Sequence, residues 1–274
     1  MRCSKAGMCV TPLGLGTFGV GGDFWTEDRG RDYEAVTALR RGLELGVGLV
    51  DTSELYGRGH AEELVGVAAG GLAGVVIITK LQPTSVTLDE VVKRAEASAR
   101  RLGRRPTAVA IHWVPPNVSV CDVVKVLEAA VEKGAADYYG LTNVTAGMLK
   151  TALVCAKKTQ PAFVQNRYSL LHRRDEIDVI PLAKREGLIY MAYSPLERGA
   201  LALDSYLAQV GQRYGKTAAQ VALNWYIKAG IVPIVKAANV EHVEENAGAL
   251  GWALSDRDWE EINKFYIQYR YVNE

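Results

Sequence analysis

Four side chains with complementary acid–base chemistry lie in the first half of the chain: Asp51 in GLVD, Tyr56 in DTSELYG, Lys80 closing VVIITK and His112 in AVAIHW. A phenol with an ordinary pKa of about 10 is a poor acid near neutrality unless something stabilises its phenolate. Lys80, kept charged by a salt bridge to Asp51, is expected to do this and to lower the pKa of Tyr56. His112 is expected to hydrogen-bond a substrate oxygen and fix its orientation. Taken singly, each residue has a structural reading, because a strand-end Asp often caps a helix, a strand-end Lys snorkels and a lone His is usually a satisfied core residue. Taken together, at the ends of consecutive strands, they read as a tuned proton donor. Reduction of a carbonyl also requires a hydride, which no side chain supplies, so the set implies a nicotinamide cofactor beside Tyr56.

The surrounding pattern explains how such residues would meet. Short runs rich in Val and Ile alternate with longer stretches of helical periodicity, the pattern of a parallel sheet. Strands are expected at 13–16, 48–51, 75–80, 108–113, 137–142, 162–166, 188–194 and 231–235. Helices are expected from Asp32 through DYEAVTALRRGLEL and near 61–69, 88–102, 122–132, 146–157, 177–185 and 217–228. Eight strands, each followed by a helix, suit an α/β fold of the closed (β/α)8 TIM barrel type better than an open doubly wound sheet. No linker or compositional shift interrupts the series, so residues 1–274 are expected to form one domain. A short N-terminal hairpin around Ala6 and Gly7, and a capped helix after Ser255, read as appendages outside the barrel.

Composition narrows the partners. With 32 basic and 31 acidic residues, the chain has no electrostatic footprint for nucleic acid or an anionic membrane, and a small-molecule partner is expected. No targeting segment or apolar run of membrane-spanning length stands out, which points to a cytoplasmic protein. The four cysteines, Cys3, Cys9, Cys121 and Cys155, have no metal or redox spacing and read as free thiols in a reducing compartment, although Cys3 and Cys9 could pair across the hairpin. The four histidines form no HxH or HExxH pair, so no metal site is expected and a metal-dependent hydrolase is disfavoured.

These residues resemble the aldo-keto reductase family, from LGLGTFGVGG to VEHVEEN. The family's catalytic Asp, Tyr, Lys and His correspond to Asp51, Tyr56, Lys80 and His112 in the contexts DTxxxYG, ITK and IHW. The resemblance implies reduction of a small-molecule carbonyl with NADPH, with NADH as a possible substitute. A cofactor-binding regulatory or redox-sensing subunit of the same fold is the alternative, and the intact catalytic set argues against it. Thr142, Asn143 and Gln165 are similar to the family's nicotinamide-carboxamide ligands, and Tyr193 to the aromatic residue that stacks on the ring. Ser194, Pro195, Leu196, Arg198 and Gly199 resemble the pyrophosphate loop.

Lys236 resembles the basic residue at the adenosine 2′-phosphate, and Glu245 and Asn246 the adenine contacts. His242 stands where many NADPH-selective members have Arg, and Ala237 where many have Ser or Thr. A His lacks the bidentate charged fork of an Arg, so preference for NADPH over NADH is expected to be weaker. Phe18, Trp25 and Trp113 match places where the family lines an apolar substrate cleft, with buried core aromatics as the other reading. The short connection LQPTSVT after Lys80 and the short tail imply an open pocket.

Overall fold

The computed structural model describes residues 1–84 and 86–270; Ser85, in the LQPTSVT connection, lies outside them. A two-stranded antiparallel hairpin, β1 (Arg2–Cys3) and β2 (Cys9–Val10), precedes eight barrel strands. These are β3 (Gly14–Gly16), β4 (Leu49–Ser53), β5 (Val76–Leu81), β6 (Ala108–Ile111), β7 (Tyr138–Thr142), β8 (Phe163–Arg167), β9 (Ile189–Tyr193) and β10 (Val232–Lys236). All pair in parallel with their sequence neighbours, and β10 closes on β3. The expected TIM barrel is therefore the observed architecture, with strand ends displaced by one or two residues.

The helices are α1 (Asp32–Glu44), α2 (His60–Ala69), α3 (Leu88–Leu102), α4 (Val120–Glu132), α5 (Ala146–Cys155), α6 (Val179–Arg185), α7 (Ser205–Gln212), α8 (Ala218–Ala229), α9 (Val240–Ala247) and α10 (Asp256–Phe265). Two of them, α7 and α9, went unassigned in the sequence. Both are eight residues long, too short for a stripe of apolar residues to repeat clearly. Each begins at a side-chain cap: Asp204 accepts from Leu207 N and Asn239 from His242 N. Helix α5 stops two residues before its expected end at Lys157. The Glu128 carboxylate collects the backbone N–H groups of Lys157, Lys158 and Thr159 at 2.8–2.9 Å, which draws them out of the helical ladder.

Along each strand, alternate residues face the barrel axis. The floor is apolar: Leu49, Ile78, Ala108, Ala110, Phe163, Ile189, Met191, Val232 and Ile234 form one buried cluster. The chain thins where these side chains are bulky. A Cβ on Gly140 would lie 2.3 Å from the Phe163 ring, so β7 approaches β8 only because that residue has no side chain. Met8 and Val10 belong to the same cluster and are 0–1% exposed. The N-terminal hairpin is the separate two-stranded sheet expected, and it also plugs the barrel floor. Helix α10 does lie outside the barrel, where Arg173 donates to the backbone and side-chain oxygens of Asn263 at 3.0 and 2.8 Å.

The expectation of free thiols is corrected, and the alternative pairing of Cys3 with Cys9 is found. Cys3 and Cys9, directly opposite in the hairpin register, form a disulfide, and Cys121 joins Cys155 with a Cα separation of 5.4 Å. No free thiol remains. Cys121 lies in the first turn of α4 and Cys155 ends α5, so 34 residues of separation are closed by the βα repeat itself. Pairing of all four removes cysteine usage as an argument for a reducing compartment. No helix among the described residues is long and apolar enough to cross a membrane.

Candidate active site

Continuing up the inward-facing stripes, apolar floor residues give way to polar ones at the C-terminal mouth. Leu49 is followed on the same face of β4 by Asp51 and Ser53, and Ile78 on β5 by Lys80. His112 follows β6, its backbone N–H still bonded to Leu81 O. Parallel register sets Lys80 beside Ser53. The result is a buried cluster in which Asp51, Lys80, His112 and Tyr56 are all less than a tenth exposed.

Lys80 Nζ donates to both Asp51 oxygens at 2.7 Å, and Gln165 Nε2 donates to Asp51 Oδ1 at 2.8 Å. The same ammonium stands 5.3 Å from the centre of the Tyr56 ring. The Tyr56 and His112 rings meet edge to face, 5.6 Å between centroids. Ser53 Oγ donates to the Lys80 carbonyl at 2.8 Å and lies 3.1 Å from His112 Nδ1. The loop carrying Tyr56 is braced from behind. Glu54 accepts from Gln82 N and from Arg94, while the fully buried Glu62 accepts from Thr79 and Arg101.

The electrostatics differ from expectation at one point. The Tyr56 phenol is held well above its ordinary value, first by burial and then by the Asp51 charge. The expected net lowering is not found, because burial among the surrounding rings dominates and the Lys80 ammonium divides its charge between Asp51 and the phenol. Burial also lowers the Lys80 ammonium, against the opposing pull of Asp51. His112 is pushed down to about 3 by burial and by the neighbouring Lys80 charge. The site at neutral pH therefore holds a protonated phenol and a neutral imidazole.

Around the same mouth lie the residues singled out for a cofactor. Asn143 is exposed, in a left-handed conformation at φ 56°, and donates from Nδ2 to His112 O at 2.8 Å. Its Oδ1 accepts from the Tyr193 hydroxyl at 2.7 Å. Thr142 and Gln165 are both 2% exposed; the Thr142 hydroxyl is within hydrogen-bonding distance of the Ile111 and His112 carbonyls. After β9, Ser194, Glu197, Arg198 and Gly199 all have positive φ. A Cβ on Gly199 would meet nothing within 4 Å, so this loop is open on one side. Pro195 is buried, its carbonyl accepting from Tyr226 at 2.7 Å, and Leu196 is half-buried. Glu197 pairs with Arg167 at 3.0 Å.

Lys236 ends β10 exposed, with its Nζ 2.9 Å from the position a Cβ would take on Gly19. His242 is exposed in the first turn of α9, while Glu245 and Asn246 lie in its last turn, half-buried and buried. Phe18, Trp25 and Trp113 are 48%, 57% and 37% exposed, so none is a core aromatic. Sequence reasoning missed Phe24, whose ring lies 5.6 Å from both the Tyr56 and His112 rings. Its signal was its place in GVGGDFW, a segment whose sequence suits a pocket rim and a plain loop equally. Among the described residues, no group of three or more His, Cys, Asp or Glu is placed to hold a metal ion.

Comparison with known proteins places this geometry in context. Residues 12–267 match the model of the aldo/keto reductase family. A methylglyoxal reductase of Escherichia coli K12 is 31% identical over 93% of this chain and 90% of its own length. The fold superposes on a thermostable aldo-keto reductase in complex with the inhibitor epalrestat with a TM-score of 0.89 at 29% identity, covering 96% of this chain and 98% of the other. An aldo/keto reductase from Klebsiella pneumoniae, solved with NADP and acetate, gives a TM-score of 0.86 at 30% identity, covering 97% and 96%.

Proposed function

This chain belongs to the aldo/keto reductase family, and we propose that it is an NADPH-dependent reductase of small-molecule aldehydes and ketones in which Tyr56 is the proton donor. The observation that carries this reading is the buried Lys80–Asp51 ion pair against the Tyr56 ring, with a neutral His112 at its side. A resident dinucleotide fits the residues at the barrel mouth. The exposed Asn143 amide, the open Ser194–Gly199 loop and the cationic Arg198 and Lys236 supply donors and positive charge to one face. The carboxylate in that loop, Glu197, is neutralised by Arg167.

Thr142, Asn143 and Gln165 would hold the carboxamide, and Tyr193 would stack on the nicotinamide. Ser194, Pro195, Leu196, Arg198 and Gly199 would hold the pyrophosphate, and Lys236, His242, Glu245 and Asn246 the adenosine end. When bound, the nicotinamide supplies the hydride. NADPH is preferred over NADH because Lys236 offers the 2′-phosphate a point charge, but only modestly, because His242 offers no fork.

The chain's own residues manage the proton. As the carbonyl carbon becomes tetrahedral, the Tyr56 O–H bond breaks and its proton passes to the alkoxide oxygen. An alkoxide is far more basic than a phenolate, so a raised phenol pKa does not prevent the transfer. The phenolate left behind lies beside the Lys80 ammonium, which offsets its charge until solvent returns the proton. His112 orients the oxygen. Ser53 serves either ring tautomer, accepting from Nδ1–H as it stands, or turning from the Lys80 carbonyl to donate to a bare Nδ1 and so leave the proton on Nε2.

The test is loss of reduced-cofactor absorbance with a panel of aldehydes, NADPH and NADH in parallel, across pH. Turnover with a modest preference for NADPH is expected. With cofactor saturating, kcat should be level from about pH 7 down to about pH 5, because His112, the imidazole at the reacting oxygen, is neutral throughout. On the alkaline side, loss of the Lys80 charge removes support for the phenolate, and activity should fall before the ordinary ammonium value of about 10.4 is reached. Absence of turnover with every aldehyde defeats the reading, and an acid-side fall with a pKa near 6.5 defeats the assignment of His112.

A further inference from the structure

We propose that Phe24 selects aldehydes over ketones; the inference rests on the reductase reading and adds a specificity-determining residue to it. Phe24, Tyr56 and His112 form an equilateral triangle of rings, 5.6 Å on every side. Two corners carry the groups that bind the reacting oxygen, and the third is a hydrocarbon. An oxygen bonded to both Tyr56 and His112 would bring its carbon close to the ring that touches both. One substituent on this carbon leads out past the exposed rings of Phe18, Trp25 and Trp113, and the other meets Phe24. A hydrogen fits against a ring already in contact with both catalytic rings. A methyl group does not, unless the ring moves.

The backbone that carries the ring is fixed. Its loop is tied to the catalytic loop by Gly57 N donating to Asp23 O at 2.6 Å. It is closed on itself by Asp28 N donating to Gly21 O at 2.9 Å and by the Gly22–Glu27 bridge. The two loops touch so closely that a Cβ on Gly57 would lie 2.2 Å from Gly21 O. Phe18 packs against Phe24 from outside at 5.1 Å. With the backbone fixed, displacing the ring means turning its side chain out of contact with Phe18, Tyr56 and His112, a cost a ketone must meet and an aldehyde need not.

The test compares benzaldehyde with acetophenone, which differ by one methyl at the reacting carbon. The wild-type protein should favour the aldehyde in kcat/KM. Phe24→Ala should shrink that preference by about 10–100-fold, the range for one methyl group in a shaped apolar pocket, with the ketone gaining in absolute kcat/KM. Phe24→Leu, which keeps an apolar anchor for the loop, should fall between them and guards against simple misfolding. An unchanged ratio in both variants overturns the proposal. Calorimetric titration of the same pair into protein loaded with oxidised NADP+, which has no hydride to give, with and without Phe24→Ala, provides a readout independent of turnover. Tighter binding of the ketone only when the ring is removed supports the role of Phe24 even if the reductase reading fails. Equal affinities in the two backgrounds, or no binding in either, overturn it.

Discussion

Tyr56→Phe is expected to lower kcat for aldehyde reduction by at least about 100-fold, within the usual contribution of a positioned proton donor, while the dissociation constant for NADPH stays close to the wild-type value. The substitution removes one oxygen and keeps the ring. Its edge-to-face contacts with Phe18, Phe24 and His112, at 5.4–5.6 Å, need only the hydrocarbon. The fold should be retained, and the loss should appear in kcat because the missing group acts as charge develops on oxygen. Steady-state rates and a fluorescence titration of the cofactor measure the two quantities. A variant within threefold of wild type would mean that the proton comes from elsewhere.

Lys80→Met should be comparably damaging to turnover, and it should also cost stability. It leaves the Asp51 carboxylate, 4% exposed, with the Gln165 amide and no countercharge. Breaking a buried ion pair in this way costs about 3–5 kcal/mol. The two losses can be separated. In the double variant Lys80→Met, Asp51→Leu both charges are gone, and stability should return to within about 1–2 kcal/mol of wild type, as for buried pairs replaced by apolar residues. Activity should stay at least about 100-fold down, because nothing then supports the phenolate. Denaturant unfolding gives the first quantity and kcat the second. Recovery of activity in the double variant would make Lys80 a packing residue.

Much of the barrel was legible because each parallel strand is buried on both faces and shows as a short apolar run between helical stretches. VVIITK and LIYMAYS are of this kind, and their strands, Val76–Leu81 and Ile189–Tyr193, lie within a residue of expectation. Local pattern failed where structure is made by contacts distant in sequence. Helix α5 ends where a carboxylate from α4 captures its backbone, and nothing in ALVCAKKT announces Glu128. Cys121 and Cys155 meet because adjacent βα units place their helices side by side. The N-terminal hairpin reads only as an appendage, and its second task, filling the barrel floor with Met8 and Val10, has no local signal.

The candidate site divides in the same way. Asp51, Lys80 and His112 were legible because strand ends place side chains by alternation, which local sequence reports. Tyr56 was legible through its local context, DTSELYG. The direction of the Tyr56 shift was not, since it depends on how deeply apolar rings from three segments enclose the phenol. Phe24 was missed for a related reason. Its place over Tyr56 and His112 depends on a backbone hydrogen bond between loops more than thirty residues apart, and GVGGDFW carries no period that would point its ring inward. Ser53, buried between His112 and Lys80, resembles an unremarkable strand serine until the register sets it beside Lys80.

The most direct test of carbonyl reduction by this site is a single turnover of benzaldehyde with NADPH carrying deuterium at one or the other face of nicotinamide C4, followed by mass analysis of the product. The account predicts benzyl alcohol with one deuterium at the former carbonyl carbon from only one of the two labelled cofactors, and hydroxyl hydrogen from water by way of Tyr56. Recovery of unchanged aldehyde beside bound, unoxidised NADPH, or of alcohol free of label from both cofactors, would contradict it.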